Sequence, residues 1–154
     1  MPVSSALRAL IAERDQPRCA YCLTTEENCG LRMHVDHIIP EVAGGLSTLD
    51  NVCLACFSCN VAKAARQTAV DPLTGETVSF FHPVRHRWHD HFAWDERKTR
   101  ILGLTTHGRA TVAALQMNND TMVRARRRWV SAGWHPPDTK KDYGTQGTND
   151  PMRK

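Results

Sequence analysis

Near the N-terminus, Leu7, Leu10, Ile11 and Arg14 recur at three- and four-residue spacing behind Ser4 and Ser5. Helix formers fill Val3 to Arg14, and either serine can accept a hydrogen bond from the free amides of a first turn, so a packing helix is predicted there. The pattern changes from Cys19 to Arg66. Val35, Ile38 and Ile39 form an apolar stretch that stops at Pro40, Gly44 and Gly45 follow, and a second apolar stretch runs from about Asn51 to Leu54. Proline removes a ladder donor and glycines mark a turn, which predicts strand, loop, strand, with a helix over Phe57 to Gln67 completing the order.

Further on, Asp71, Pro72, Thr74 and Gly75 mark a turn, Val78 to Phe81 a strand, and Arg100 to Leu104 another short strand. Two helices are predicted after that, over Arg109 to Gln116 and from Asp120 to Gly133. The second places Met122, Ala125 and Trp129 on one stripe. Beyond Pro136 and Pro137 the residues turn polar and glycine-rich, with Asp142, Gly144, Gly147 and Asn149, the composition of a mobile tail. The expected organisation is an N-terminal helix (1–18), a compact unit (19–67), a mixed α/β extension (68–135) and the tail (136–154). No internal repeat interrupts it.

A chain of 154 residues suits one domain with extensions. Apolar types at 41% and charged types at 23% match a soluble globular protein, and no apolar run nears the ~20 residues that cross a bilayer. The first sixteen residues lack a basic stretch feeding a long apolar core, so the protein is expected in the cytoplasm with reduced thiols free for metal. The net charge of +4 is uneven: residues 19–66 carry three basic and five acidic side chains, residues 67–154 fourteen and nine. Any electrostatic hold on a polyanion is therefore expected mostly from the second half.

Cys19-x-x-Cys22 and Cys56-x-x-Cys59 have the spacing that lets a tight turn aim two thiolates at one tetrahedral ion. Cys53 lies three residues before Cys56 and could compete, but Cys56 and Cys59 sit at the start of the predicted helix, where backbone amides support thiolates. Cys19, Cys22, Cys56 and Cys59 are thus the expected zinc ligands, with Cys29 and Cys53 outside the site. Four sulfur ligands leave no open position for water, so the zinc would be structural.

Between the cysteine pairs lie Asp36-His37, then Gly44-Gly45 and Asn51, with Asn60 directly after Cys59. Splitting a phosphodiester needs an activated water and a cation for the charge that develops on phosphate. Asp36 and Asn60 offer hard oxygen ligands suited to Mg²⁺ or Mn²⁺, and an imidazole such as His37, with an ordinary pKa of ~6.5, can serve as a neutral base. In order and spacing this run resembles the HNH endonucleases, the zinc-bearing form of the ββα-metal fold. The resemblance covers about residues 19–66, and Asn60 stands where the name-giving pattern ends in histidine. It implies an α+β fold with a four-cysteine zinc knuckle and metal-dependent hydrolysis of DNA. It further implies His37 as general base, Asp36 and Asn60 on one Mg²⁺ or Mn²⁺ ion, and Asn51 pinning the loop and orienting His37. Asp36 and His37 would point to opposite faces of a regular strand, so the strand must end, twist or bulge there.

For nucleic acid, Lys63 and Arg66 follow Asn60 on the predicted helix, and Arg124, Arg127 and Arg128 share one face of the last helix, so these five are the candidate phosphate contacts. Double-stranded DNA is the expected partner, and no motif reads the sugar to separate DNA from RNA. His82, His86, His89 and His91 around Trp88, Phe92 and Trp94 match no familiar ligand spacing and read as an aromatic packing module. Segments 88–92 and 108–112 are also similar to the C-terminal extension of certain free-standing bacterial HNH proteins. The rival reading is a zinc-dependent nucleic-acid-binding module without catalysis, which needs the cysteines but not Asp36, His37, Asn51 and Asn60.

Overall fold

A computed structural model of the chain describes residues 3–137; residues 138–154, most of the expected tail, lie outside the described residues. Ser4 accepts from the Leu7 amide at 3.1 Å and opens helix α1, Ser5–Asp15. The buried residues of α1 are Ile11 and Asp15, while Leu10 is 52% exposed, so the packing stripe is narrower than the spacing predicts. The end of α1 acts as a polar clamp on the chain that follows. Asp15 Oδ2 accepts from the Leu54 amide at 2.7 Å, and Arg14 donates to the carbonyls of Leu49 and Val52. Backbone groups that would otherwise be orphaned in the interior are satisfied in this way.

A tight loop bridged at Arg18 and Thr25 leads into the short helix α2, Glu26–Cys29, which the apolar pattern does not predict. Strand β1, His34–His37, then pairs antiparallel with β2, Val52–Ala55, setting Asp36 opposite Cys53 and His37 opposite Val52. Helix α3, Phe57–Lys63, completes the strand, loop, strand, helix order expected for a ββα unit. It stops four residues short of Gln67 because Ala64 takes φ 50° and ψ −132°, a conformation outside the helical region. Arg66 therefore lies beyond the helix end.

The loop between β1 and β2 is tightly folded. A Cβ on Gly45 would stand 1.7 Å from the Ile39 carbonyl oxygen and 2.9 Å from Asn51 Nδ2, so this position requires glycine. Gly45→Ala is expected to push the loop off the hairpin and cost about 3 kcal/mol, a fall in melting temperature of roughly 6–12 °C by calorimetry.

The extension packs two more hairpins and three helices beside this unit. Strands β3, Thr68–Val70, and β4, Thr77–Ser79, pair around the turn at Asp71 to Gly75. β3 is too short to show a pattern in the sequence. After α4, Trp88–His91, strands β5, Phe92–Trp94, and β6, Ile101–Gly103, form the third antiparallel pair. Helix α5, Thr106–Ala114, begins three residues before the predicted Arg109 because Thr105 caps it, accepting from the Gly108 amide at 3.0 Å. Arg109 of α5 holds Asp71 with a two-pronged ion pair, Nε to Oδ1 at 3.0 Å and Nη2 to Oδ2 at 2.9 Å, which ties helix to turn.

Helix α6, Asp120–Ala132, has the predicted extent, but its buried stripe is Val123, Arg126 and Trp129. Met122 and Ala125 are only half-buried. Arg126 is fully enclosed, donating to the Thr99 carbonyl at 3.0 Å with its guanidinium 5.4 Å from the Trp94 ring centroid. Cation–π stacking lets a long charged side chain occupy an apolar stripe. Among the described residues no helix is long and apolar enough to cross a membrane.

The histidine- and tryptophan-rich segment packs ring against ring. His86 and His91 centroids are 4.9 Å apart, and Phe81 meets Phe92 edge-on at 5.0 Å. Burial, reinforced by neighbouring positive charge, lowers the pKa of His82 to about 4 and moves His86 and His91 below their ordinary value. With depressed folded-state values, these groups stabilise the fold fully above pH 6.5, and that contribution is lost as the pH falls from about 6.5 towards 4. Discounted for solvent screening, the set corresponds to a fall in melting temperature on the order of 5 °C between pH 7 and pH 5. His86→Gln is expected to flatten that slope in melts run with excess zinc.

Candidate metal centre and active site

Two knuckles converge at the base of the ββα unit. In the first, Leu23 turns left-handed at φ 64°, its amide donating to the Cys19 carbonyl at 2.9 Å, and the Cys22 amide points at Cys19 Sγ at 3.5 Å. The Ala20 amide donates to the Leu54 carbonyl at 2.8 Å and so anchors this knuckle on β2. In the second, Cys56 is the N-cap of α3, its Sγ accepting from the Cys59 amide at 3.4 Å. The sulfurs of Cys19, Cys22, Cys56 and Cys59 are all buried and lie within 4.8 Å of one another. Cys22 and Cys56 are 3.7 Å apart, close to the edge of about 3.8 Å that follows from four zinc–sulfur bonds of ~2.3 Å in a tetrahedron.

Burial pushes the Cys19 thiol up, hydrogen bonds from the other three sulfurs push Cys22 down, and the same kind of contacts push Cys59 up. Four clustered thiols cannot all ionise without a cation among them, a charge that a zinc ion would supply. Cys53 and Cys29 lie outside the cluster. Cys53 occupies β2 with its sulfur 4.0 Å from Asp36 Oδ2, so the strand carries it away from the knuckle.

Asp36, His37 and Asn60 border one shallow groove of about 270 Å³, together with Pro40, Glu41, Ala64 and Ala65. The conflict between neighbouring strand residues is resolved because β1 ends at His37. Asp36 is buried in the floor at 5% exposure, and the His37 side chain stands at the strand end at 16%. His37 Nε2 lies 2.9 Å from Ser47 Oγ and 3.6 Å from Glu41 Oε1. Asn60 is half-buried, and its side chain makes no hydrogen bond among the described residues.

Asn51 closes the loop with three hydrogen bonds. Its Oδ1 accepts from the Ile39 amide at 2.9 Å, and its Nδ2 donates to the carbonyls of Ile39 at 3.1 Å and Leu46 at 2.9 Å. Ser47, the partner of the His37 ring, is next in the chain, so any effect of Asn51 on His37 passes through the loop.

The Asp36 carboxylate is held from two sides. Tyr21 Oη donates to Oδ2 at 2.7 Å, and Lys63 Nζ lies 3.2 Å from Oδ2 and 3.3 Å from Oδ1. Burial pushes the Asp36 carboxyl above its ordinary range, while the Lys63 ammonium and the Tyr21 hydroxyl oppose that rise. Lys63 also donates to the carbonyls of His37 at 3.1 Å and Ile38 at 3.4 Å.

This corrects the expectation that Lys63 reaches a phosphate: its side chain is 1% exposed and its ammonium is committed to Asp36 and the His37 carbonyl of β1. No spacing signal separates an inward lysine at the end of a short helix from an outward one. Arg66 is exposed, but its guanidinium donates to the Ala62 carbonyl and, at 3.1 Å, to that of Ala114, so it closes the end of α3 and joins it to α5. Arg124, Arg127 and Arg128 are exposed on α6, and Arg124 and Arg127 flank a groove of about 280 Å³ with Arg100 and Asp120. Sequence reasoning did not find Tyr21, Ser47 or Arg100. The only local signal for Tyr21 is its position inside the Cys19–Cys22 knuckle.

The antiparallel pair, the helix and the sulfur cluster define a zinc-knuckle ββα unit. Residues 19–66 match the family model described as HNH endonuclease, so the chain carries an HNH domain, a unit whose members are typically nucleases. Searches of curated proteins and of solved structures returned no match.

Proposed function

We propose that this protein is a metal-dependent endonuclease that hydrolyses DNA phosphodiester bonds, acting in the cytoplasm with a structural zinc on Cys19, Cys22, Cys56 and Cys59. The observation that carries this reading is the single groove bordered by Asp36, His37 and Asn60 above a four-sulfur cluster. The carboxylate of Asp36 and the amide oxygen of Asn60 form a hard-oxygen donor set that fits Mg²⁺ or Mn²⁺. Asp36 Oδ1 accepts only from Lys63, at 3.3 Å, which leaves it further acceptor capacity. Asp36 and Asn60 would hold the divalent ion, which when bound would neutralise charge on the scissile phosphate and its leaving oxygen.

His37 takes the proton of the attacking water through a ring nitrogen. The water oxygen forms the new bond to phosphorus, one ester P–O bond breaks, and the departing oxygen is protonated from solvent. Ser47 orients the ring, Asn51 fixes the loop that carries Ser47, and Lys63 holds the backbone at His37. Arg124, Arg127 and Arg128 provide the exposed positive face for the duplex backbone.

The test is incubation of purified protein with supercoiled plasmid and Mg²⁺ or Mn²⁺, beside an EDTA control. Metal-dependent relaxation supports the enzyme. Plasmid binding without cutting under every metal tried favours the binding module, and cleavage restricted to RNA redirects the substrate.

A further inference from the structure

The extension is joined to the active-site carboxylate through two buried hydrogen bonds. Trp88, the first residue of α4 and 1% exposed, donates from Nε1 to the Tyr21 carbonyl at 2.8 Å. Tyr21 is itself fully enclosed between two zinc-ligand cysteines, and its hydroxyl donates to Asp36 Oδ2 at 2.7 Å. One residue thus touches three parts of the molecule: the sulfur knuckle through its own backbone, the extension through its carbonyl, and the groove carboxylate through its side chain.

We propose that Tyr21 is a positioning residue for the catalytic metal site, orienting Asp36 for its divalent ion, and that Trp88 lets the C-terminal extension hold Tyr21 in place. This rests on the reading of Asp36 as a ligand of that ion. A carboxylate on a strand can turn about its Cα–Cβ and Cβ–Cγ bonds, and Lys63, lying near both oxygens, does not select one orientation. The Tyr21 hydroxyl engages Oδ2 alone, at 2.7 Å, which breaks the symmetry between the two oxygens. Hydrogen-bonding partners of metal-binding groups commonly change metal affinity by 10–100-fold when removed. The geometry also gives the aromatic segment a task besides packing: its one indole donor in the knuckle fixes the backbone from which the phenol projects.

The experiment measures Mn²⁺ binding to the zinc-loaded full chain by electron paramagnetic resonance and calorimetry, with plasmid cleavage against Mn²⁺ concentration as a second readout. Tyr21→Phe is expected to keep one zinc per chain and a native circular dichroism spectrum, to weaken Mn²⁺ binding at least tenfold, and to shift the cleavage curve to higher Mn²⁺ by a similar factor. Trp88→Phe is expected to shift both in the same direction by about threefold. Replacing Tyr21 with 3-fluorotyrosine, which keeps shape and hydroxyl but makes it more acidic, is expected to move Mn²⁺ affinity measurably, and this variant decides the matter should Tyr21→Phe fail to fold. Mn²⁺ affinity within twofold of wild type in the folded Tyr21 variants overturns the proposal. A wild-type response in Trp88→Phe alone removes the extension from it. A wild-type protein that binds no Mn²⁺ and cuts no plasmid defeats the nuclease reading itself, a result distinct from either.

Discussion

His37→Ala is expected to slow metal-dependent plasmid cleavage by roughly 10²–10⁴-fold, the range for a positioned general base, with zinc content and melting temperature close to wild type. Two structural facts support that separation. The ring stands at the end of β1 at the groove, bonded to Ser47 Oγ at 2.9 Å, while the four sulfurs come from the Cys19–Cys22 loop and the start of α3. The backbone of residue 37 is held independently, by pairing with Val52 and by the Lys63 ammonium on its carbonyl. Removing the imidazole therefore deletes the proposed proton acceptor and leaves the strand in register. Initial rates of supercoil loss, read beside zinc analysis and thermal melts, check the result. Cleavage retained within threefold of wild type would remove His37 from the base role.

Cys56→Ser is expected to release the zinc and unfold most of the HNH unit. Structural zinc contributes an apparent ~10–16 kcal/mol in small zinc-dependent folds, comparable with the whole stability of an ordinary domain at about 5–15 kcal/mol. The substitution isolates the metal cleanly. Cys56 is also the N-cap of α3, accepting from the Cys59 amide, and serine caps a helix well, so the helix start survives the change and the lost sulfur does not. Zinc stoichiometry and circular dichroism are the measurements. Cys53→Ser, outside the sulfur cluster, is expected to retain full zinc. Equal zinc in wild type and Cys56→Ser would overturn the ligand set.

Much of the site is legible along the chain. The paired cysteines, Asp36-His37, the glycines, Asn51 and Asn60 each occupy short, ordered spacings, although the two cysteine pairs meet across 34 positions of chain. Gly45 and Asn51 illustrate this: a glycine forced against a carbonyl and an amide side chain that ties the same loop are both marked in a single sequence. The helix boundaries are less legible. Ala64 ends α3 in a conformation usually left to glycine, so composition gives no warning there. The stripe on α6 is misplaced for a related reason: an arginine stacked on Trp94 takes an apolar position, and hydropathy cannot distinguish it from its exposed neighbours Arg127 and Arg128.

By itself the chain determined which atoms can be zinc ligands, which residues can form the groove, and the order of strand, loop, strand and helix, because each is marked by a short motif of neighbouring residues. Tertiary structure alone decided that Lys63 turns inward to Asp36, that Tyr21 reaches from the knuckle to the same carboxylate, and that Trp88 meets Tyr21 from 67 positions away. Those contacts depend on how separate elements pack around a shared interior, where an unpaired buried carboxylate or indole would be costly and each polar group must find its partner across the fold.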